Sequence, residues 1–324
     1  MRMTSTSTRA SSAHAPFASD VAYYLALHPR QLPSRYLYDP LGSALFEEIC
    51  RLPWYGLTRA EKRLLTAHAA AVWRSGQGVH TVAELGPGSG EKLALLLAAA
   101  PGTRPHRDVH LVDVSSSALT QAAQTLRAAP VNVVAHECDY ETGLLRFADA
   151  RTSATRALIA FLGSNLGNFD QPGREAFLRS IRAALRPGDS LLIGVDLVKD
   201  EADLIRAYDD PLGVTAAFNR NLLVRINREL GGNFVLDEFF HRAVWNAEHS
   251  RIEMHLCSRR NQTIRIVASQ LEFSIEAGES IWTESSYKFT INSLAALLAQ
   301  NGFAVTDQWT DDEEPFALTL AAAI

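Results

Sequence analysis

Cysteine is scarce: Cys50, Cys138 and Cys257 are the only three in 324 residues. They are widely spaced and form no CxxC pair, which excludes a disulfide framework or a cysteine metal clip and suits a reducing compartment. No apolar run approaches the roughly 18 residues that a membrane span requires, and the opening MRMTSTSTRASSAHAPF has no hydrophobic core of a secretion signal. The expectation is a cytoplasmic protein with no membrane partner. Positive charge is not in excess either: 31 Lys and Arg stand against 36 Asp and Glu, a formal net charge of -5. That balance offers no broad basic surface to a phosphate backbone, so nucleic acid is not an expected partner. His241, His249 and His255 lack ligand-type spacing and read as surface or core histidines, with no metal site. What the chain does have is 47% hydrophobic residues, enough to build one large α/β domain or two modest ones.

Residues 1–18 are rich in Ser, Thr and Ala and predict a disordered tail, since they bury too little apolar surface to offset the entropy of ordering. From Asp20 to Arg74 the apolar spacing of VAYYLALHP, SALFEEICRLP and EKRLLTAHAAAVW is helical. Short β-rich runs then alternate with amphipathic helices: 82–85, 109–114, 131–136, 157–163 and 190–198. Such alternation predicts a parallel sheet with helices on both faces. A helical stretch over 200–230 follows, then segments of antiparallel style, VLDEFFHRAVWN, RIEMHLCSRR, QTIRIVAS and LEFSIEAG. The helix SLAALLAQNGF and a closing strand pair, AVTDQWT and FALTLAAAI, return the chain to the first sheet, with the acidic run 311–314 as a solvated turn between them.

The run Glu84-Leu85-Gly86-Pro87-Gly88-Ser89-Gly90 follows a buried strand and opens a helix, where glycines let backbone amides approach a ligand. A bare GxGxG says little. Three features sharpen it: the acid before the first glycine, the lack of a P-loop GK[ST], and Asp113 closing the next strand, where a carboxylate can hold ribose hydroxyls. Asp139, in Cys138-Asp139-Tyr140 at the third strand end, can accept from an adenine amino group. Read singly, these pieces are also a tight turn, a helix cap and a solvated loop residue. On successive strand ends of one sheet they point to a nucleotide-like ligand. A nicotinamide dehydrogenase shares the first loop, but GPGSG lacks the last glycine of GxGxxG and no hydride-transfer constellation follows.

AALRPGDSLLIG and the closing strand pair resemble S-adenosylmethionine enzymes of the seven-stranded class. More specifically, LPSRYLYDPLGSALFEEICRLPWYGLTRAE, FLGSNLGNF, LVKDEADLIRAYDDPLGVTAAFNRNLLVRINRELGGNF, RIEMHLCSRR and TESSYKF resemble the histidine Nα-methyltransferases that make hercynine for ergothioneine biosynthesis. The resemblance runs from Leu32 to the C-terminus. It departs at LPWYGLTR, where the family shows something closer to LPEYYPTR.

The resemblance implies a class I, Rossmann-like methyltransferase with an N-terminal helical segment and an inserted α+β substrate-binding domain. Its parts would be a helical part at 19–60, a core at 61–198 and 287–324, and an insertion at 199–286, with the active site between them. It implies S-adenosylmethionine as cofactor, held by Tyr38, Gly86, Lys92, Asp113, Asp139 and Tyr140. L-Histidine would be held by Phe46, Tyr55, Gly163, Asn168, Met254, Glu284 and Ser286, with Tyr38 and Asn168 nearest the chemistry. A monomer trimethylating the α-nitrogen is the implied enzyme. The alternatives are a relative acting on another amino acid such as tryptophan, or a non-catalytic S-adenosylmethionine-binding regulator.

The residues suit that chemistry. Glu284 and Ser286, two apart on a strand, share a face and can hold the two imidazole nitrogens, one by accepting and one by donating. Asn168 offers donor and acceptor to an amino acid's polar groups, and aromatic Tyr38, Phe46 and Tyr55 suit a fixed cation. Met254 reads equally as a filler of a core gap.

Overall fold

The structure, a computed structural model, describes residues 15–76, 78–101, 107–151 and 155–324. In chain order the strands are β1 Arg30–Gln31, β2 Val79–Leu85, β3 Arg107–Asp113, β4 Val131–Glu137, β5 Arg156–Phe161, β6 Ser190–Asp196, β7 Phe239–Asn246, β8 Arg251–Ser258, β9 Gln262–Ile266, β10 Leu271–Ile275, β11 Ser280–Tyr287, β12 Phe303–Thr310 and β13 Phe316–Ala323. The chain divides into two compact units. One comprises Leu52–Asp203, Ala247–Arg251 and Ser286–Ile324; the other takes the residues up to Arg51, Leu204–Asn246 and Ile252–Ser285.

The first unit holds a seven-stranded sheet in the order β12-β13-β6-β5-β2-β3-β4. β2 pairs in parallel with both β3 and β5, β3 with β4 and β5 with β6, whereas β13 runs antiparallel to β6 and to β12. Helices cover both faces, so the inner strands read as near-continuous apolar runs rather than alternating ones. Every residue of β6 is buried, and Ala157, Leu158, Ile159, Ala160 and Phe161 of β5 sit in the core with Phe147, Phe177, Leu178 and Ile181. Edge strand β4, partly or fully exposed along its length, is the exception. Chain order reverses beside β2, and at such a switch point the carboxyl strand ends form a ligand crevice.

The helix Leu57–Ser75 belongs wholly to this unit, with Leu57, Ala60, Leu64, Leu65 and Val72 on its buried face. The boundary expected between residues 60 and 61 would cut through it; the division by contacts lies at Leu52. The turn between β12 and β13 also differs from expectation, being tied down as well as acidic. Asp311 receives Arg63 at 2.5 and 2.8 Å and the N–H groups of Glu313 and Glu314, while Glu314 pairs with Lys199. Asp312 and Glu313 alone stand exposed.

The second unit carries a four-stranded sheet, β1-β11-β8-β7, and a separate antiparallel hairpin of β9 and β10. Two features depart from the sequence reading. Residues 30–31, inside the expected helical segment, form β1 and pair in parallel with Ile281 and Trp282, which makes this sheet mixed. Helix Ala15–Leu25 begins inside the expected tail, because Phe17 is buried, packs on Tyr36 at 4.3 Å between ring centroids and lies under the Arg225 guanidinium. Residues 1–14 of that tail lie outside the described residues.

Candidate active site

Three positive φ angles, at Gly86 (72°), Gly88 (51°) and Gly90 (77°), turn the chain from β2 into the helix Glu91–Ala98. Side chains rarely adopt such a backbone. At Gly86 the close approach matters as well: a Cβ there would lie 2.8 Å from Tyr140 Oη and 3.1 Å from Asn165 Nδ2. The loop therefore presents bare backbone between polar side chains, the cradle that a nucleotide-like cofactor needs. Gly86 N–H donates to the Val112 carbonyl at 2.8 Å, which docks the loop beside Asp113. The Cys138 N–H in turn donates to the Asp113 carbonyl at 3.1 Å, so Asp139 and Tyr140 follow on the neighbouring strand end.

Asp113 is half-buried, and desolvation raises its acid while the Ser115 N–H, donating at 2.8 Å, opposes the rise. The helix after it is capped by Ser115, not by Asp113. Asp139 is exposed and caps the helix Tyr140–Ala150 by accepting the Thr142 N–H at 2.7 Å, which lowers its acid. It is thus a structural cap before any ligand arrives. Tyr140 packs its ring on Phe161 and Phe177 with centroids 5.6 and 5.5 Å away, and burial raises its phenol.

Two carboxylates absent from the set of expected site residues act on Lys92, Glu61 by contact and Glu84 through its charge. Glu61, from the helix Leu57–Ser75, is fully buried; its Oε2 lies 2.7 Å from Lys92 Nζ. Glu84 on β2 is buried too, and its Oε2 has no hydrogen-bond partner among the described residues. Burial, countered by Lys92 and reinforced by the charges of Glu61 and Asp113, pushes the Glu84 acid up to about 8. An acid protonated in the folded chain but ionised in the unfolded one makes stability fall as pH rises from about 4.5 to about 8. Glu84→Gln removes that titration. In urea titrations across this window, the variant is expected to be less pH-dependent by up to about 1.4 kcal/mol per pH unit. Parallel profiles for the two proteins would contradict a buried protonated acid.

After β5 the chain makes a turn at Gly163 (φ 80°) and Ser164 (φ 61°) into the 3-10 turn Asn165–Asn168. Ser164 Oγ accepts the Asp196 N–H at 2.9 Å, which fixes the turn to β6. Asn168 stands half-buried at its end, and its side-chain amide makes no hydrogen bond to a described residue. Gly163, Lys92, Asn165, Gly86 and Tyr140 thus form one contiguous group at the strand ends of the seven-stranded unit. Asn165 was missed by the sequence reading, although it stands between two glycines of FLGSNLGNF. Tyr55, also in this unit, is buried.

In the other unit, Tyr38 meets Phe46 and Phe218 edge to face, with ring centroids 5.5 Å away in each case. The adjoining Asp39 fixes this corner: burial alone would raise its acid, but Arg228, the Gly42 N–H and Asn221 overcome that and lower it. Phe218 joins the expected pair from the helix Val214–Leu230. Met254 is buried in line with Ile252 and Leu256 on β8, the placement of a core side chain. Glu284 is buried on β11, where its backbone carbonyl accepts the Trp282 indole N–H at 2.8 Å. Thr283 beside it donates to Asn219 Oδ1 at 2.7 Å and the Met254 carbonyl at 3.0 Å.

Ser286, on the same face of β11 by the alternation of strand side chains, falls past the division, in the seven-stranded unit. Its Oγ accepts from Lys288 Nζ at 2.9 Å, and that ammonium, wholly buried, lies 2.8 Å from Asp196 Oδ2. Lys288 is a second residue that sequence reading passed over. His241 and His255 are satisfied internally: the His241 ring meets Asn219 and the Tyr208 carbonyl, and the His255 ring meets Glu253 and Ser280. Among the described residues, no helix is long and apolar enough to cross a membrane.

The chain is similar to proteins of known activity. It is 41% identical over 314 residues to a histidine N-alpha-methyltransferase of Mycolicibacterium smegmatis, covering 96% of each chain. To the protein of the same name from Mycobacterium tuberculosis it is 42% identical over 311 residues, covering 95% of each. Ergothioneine biosynthesis protein 1 of Neurospora crassa is 32% identical over 273 residues, 79% of this chain but 31% of that one. The profile described as "Histidine-specific methyltransferase, SAM-dependent" matches residues 17–323. The seven-stranded sheet with its antiparallel β13 is the class I, Rossmann-like methyltransferase architecture expected from the sequence. The chain therefore belongs to the S-adenosylmethionine-dependent, histidine-specific methyltransferases.

Proposed function

We propose that this protein methylates the α-nitrogen of free L-histidine three times, yielding hercynine, the first step of ergothioneine biosynthesis. It does so as a cytoplasmic monomer on a small-molecule substrate. The observation that carries this reading is the pair on β11: a buried carboxylate, Glu284, and a buried hydroxyl, Ser286, two residues apart. A buried carboxylate accepts the ring N–H and the hydroxyl serves the other ring nitrogen, a pattern that imidazole satisfies and an apolar side chain does not.

The cofactor-side residues fit their ligand. The Gly86–Gly90 turn offers backbone amides and Lys92 a cation for the amino-acid end, Asp113 accepts from ribose hydroxyls, and Asp139 with Tyr140 borders the adenine. When bound, S-adenosylmethionine supplies an electrophilic methyl group on a sulfonium. What remains for the protein is alignment, holding the amine lone pair in line with that methyl. Asn168, with both a donor and an acceptor, holds the amino acid's polar end together with the Tyr55 hydroxyl, and Gly163 completes the substrate surround. Loss of the ammonium proton is favoured beside a sulfonium charge, and the Tyr38 hydroxyl or an ordered water carries it away. The rings of Tyr38, Phe46 and Phe218 face a product that carries a permanent cation, which aromatic faces stabilise.

The test is a mass-spectrometric screen of the purified protein with S-adenosylmethionine and each free amino acid. Mono-, di- and trimethylated histidine in succession is the expected result. Methylated tryptophan in place of histidine, or cofactor binding with no methylated product, would overturn the reading.

A further inference from the structure

We propose that Glu61 is a positioning residue for this reaction, its carboxylate tying the Lys92 ammonium on the cofactor side to the Gly163 N–H on the substrate side. The inference rests on the roles proposed above for Lys92 and Gly163. Both Glu61 oxygens lie 2.9 Å from the Gly163 nitrogen, and Oε2 is also 2.7 Å from Lys92 Nζ. A Cβ at Gly163 would sit 3.0 Å from that same ammonium, so the three groups form one closed cluster.

A fully buried carboxylate is costly unless paired and hydrogen-bonded, and this one is both. The surroundings are cut to admit it. At Gly194 on β6 a Cβ would lie 1.8 Å from Glu61 Oε1 and 2.9 Å from its Cδ, so the carboxylate occupies the space that any side chain at 194 would fill. Lys92 meanwhile feels the charge of a second acid, Glu84, whose Oε2 has no hydrogen-bond partner among the described residues. The Glu61 carboxylate, 2.7 Å from the ammonium, holds it beside the Gly163 turn; removing that carboxylate shifts the electrostatic balance on the lysine toward Glu84. A single carboxylate thereby fixes where the cofactor's charge partner stands and how the Gly163 peptide is oriented, neither of which Glu61 needs to touch a ligand to do.

The test compares Glu61→Gln, Glu61→Asp and Gly194→Ala with the unsubstituted protein. The first readout is affinity for S-adenosylhomocysteine by calorimetry from pH 6 to 9, which needs no turnover; the second is KM and kcat for histidine. Glutamine keeps an acceptor for the Gly163 N–H but loses the charge that holds Lys92. S-Adenosylhomocysteine affinity is expected to fall about tenfold, the size of one lost charge-assisted contact. Its pH profile is expected to move to lower pH, because Glu84 then faces Lys92 and Asp113 without the repulsion of Glu61. Glu61→Asp is expected to recover part of the loss. Gly194→Ala, which displaces the carboxylate without removing it, should weaken binding in the same direction and raise the histidine KM. Unchanged affinity and pH profile in the folded Glu61→Gln and Gly194→Ala variants, with only a lower melting temperature, would reduce Glu61 to a structural ion pair and overturn the proposal. Failure of the unsubstituted protein to methylate histidine is a separate result: it removes the substrate reading, while the S-adenosylhomocysteine titrations still decide whether Glu61 positions Lys92.

Discussion

Glu284→Ala is expected to lower kcat/KM for L-histidine on the order of a hundredfold or more, with S-adenosylhomocysteine affinity unchanged. In the proposed binding mode the substitution leaves a ring N–H facing an apolar gap. Losing a hydrogen bond to a buried charged acceptor costs about 3 kcal/mol, and about 1.4 kcal/mol is a factor of ten. A site that hydrogen-bonds its substrate also loses discrimination when that partner is removed. The loss should appear in binding as well as in turnover, because the role proposed for Glu284 is on the ring and not on the reacting nitrogen. β11 retains contacts that the substitution does not remove: the Trp282 indole on the Glu284 carbonyl, and Thr283 on Asn219 and Met254. An enzyme built for tryptophan would keep its activity in this variant. Steady-state kinetics on histidine and tryptophan, with calorimetry for the cofactor product, separate these outcomes.

The second large effect concerns stability. Lys288 is wholly buried, with its ammonium shared between Asp196 Oδ2 at 2.8 Å and Ser286 Oγ at 2.9 Å. Lys288→Met keeps the approximate volume and removes the charge, leaving Asp196 buried with, among the described residues, Lys199 as its cation, 3.1 Å from its other oxygen. Breaking a buried pair on one side costs about 3–5 kcal/mol. Because Lys199 remains, the lower end is expected, a drop in melting temperature on the order of 10 °C. The double variant Lys288→Met/Asp196→Asn should recover much of that loss, since no uncompensated charge is left. Ser286 also loses the donor that holds its hydroxyl, so the surviving folded fraction should show a raised histidine KM. A melting temperature within 2 °C of the unsubstituted protein would show that the pair contributes nothing net.

How much of this was legible in the sequence depended on whether a residue's chemistry agreed with its burial. β5 and β6 were readable because helices cover both faces of the sheet and the strands are apolar throughout. The glycine turn and the strand-end position of Asp113 were readable because positive φ and a carboxylate closing a strand leave a residue-type imprint, whereas Tyr140 entered only through the family resemblance. At β11 the strand itself was read, but not its burial: Thr283, Glu284 and Ser286 are polar residues that ordinarily read as exposed, yet all three are buried. Glu61 stands next to Lys62 and near Arg63 on a helix, where a charge ordinarily reads as solvated; only the fold brings it to Gly163 and Gly194. Asp311 failed the same way, as an acid in an acidic turn that the distant Arg63 claims. β1 spans two residues and exists through pairing with a strand some 250 positions later, at Ile281 and Trp282, which no local pattern can encode. Asp139 has one oxygen committed to a helix cap, so the residue type alone did not separate capping from ligand binding.

The most direct measurement is a crystal structure of the protein with L-histidine and S-adenosylhomocysteine. The account predicts the imidazole gripped by Glu284 and Ser286, with the α-nitrogen turned toward the cofactor sulfur. A histidine whose ring makes no contact with either residue would contradict it.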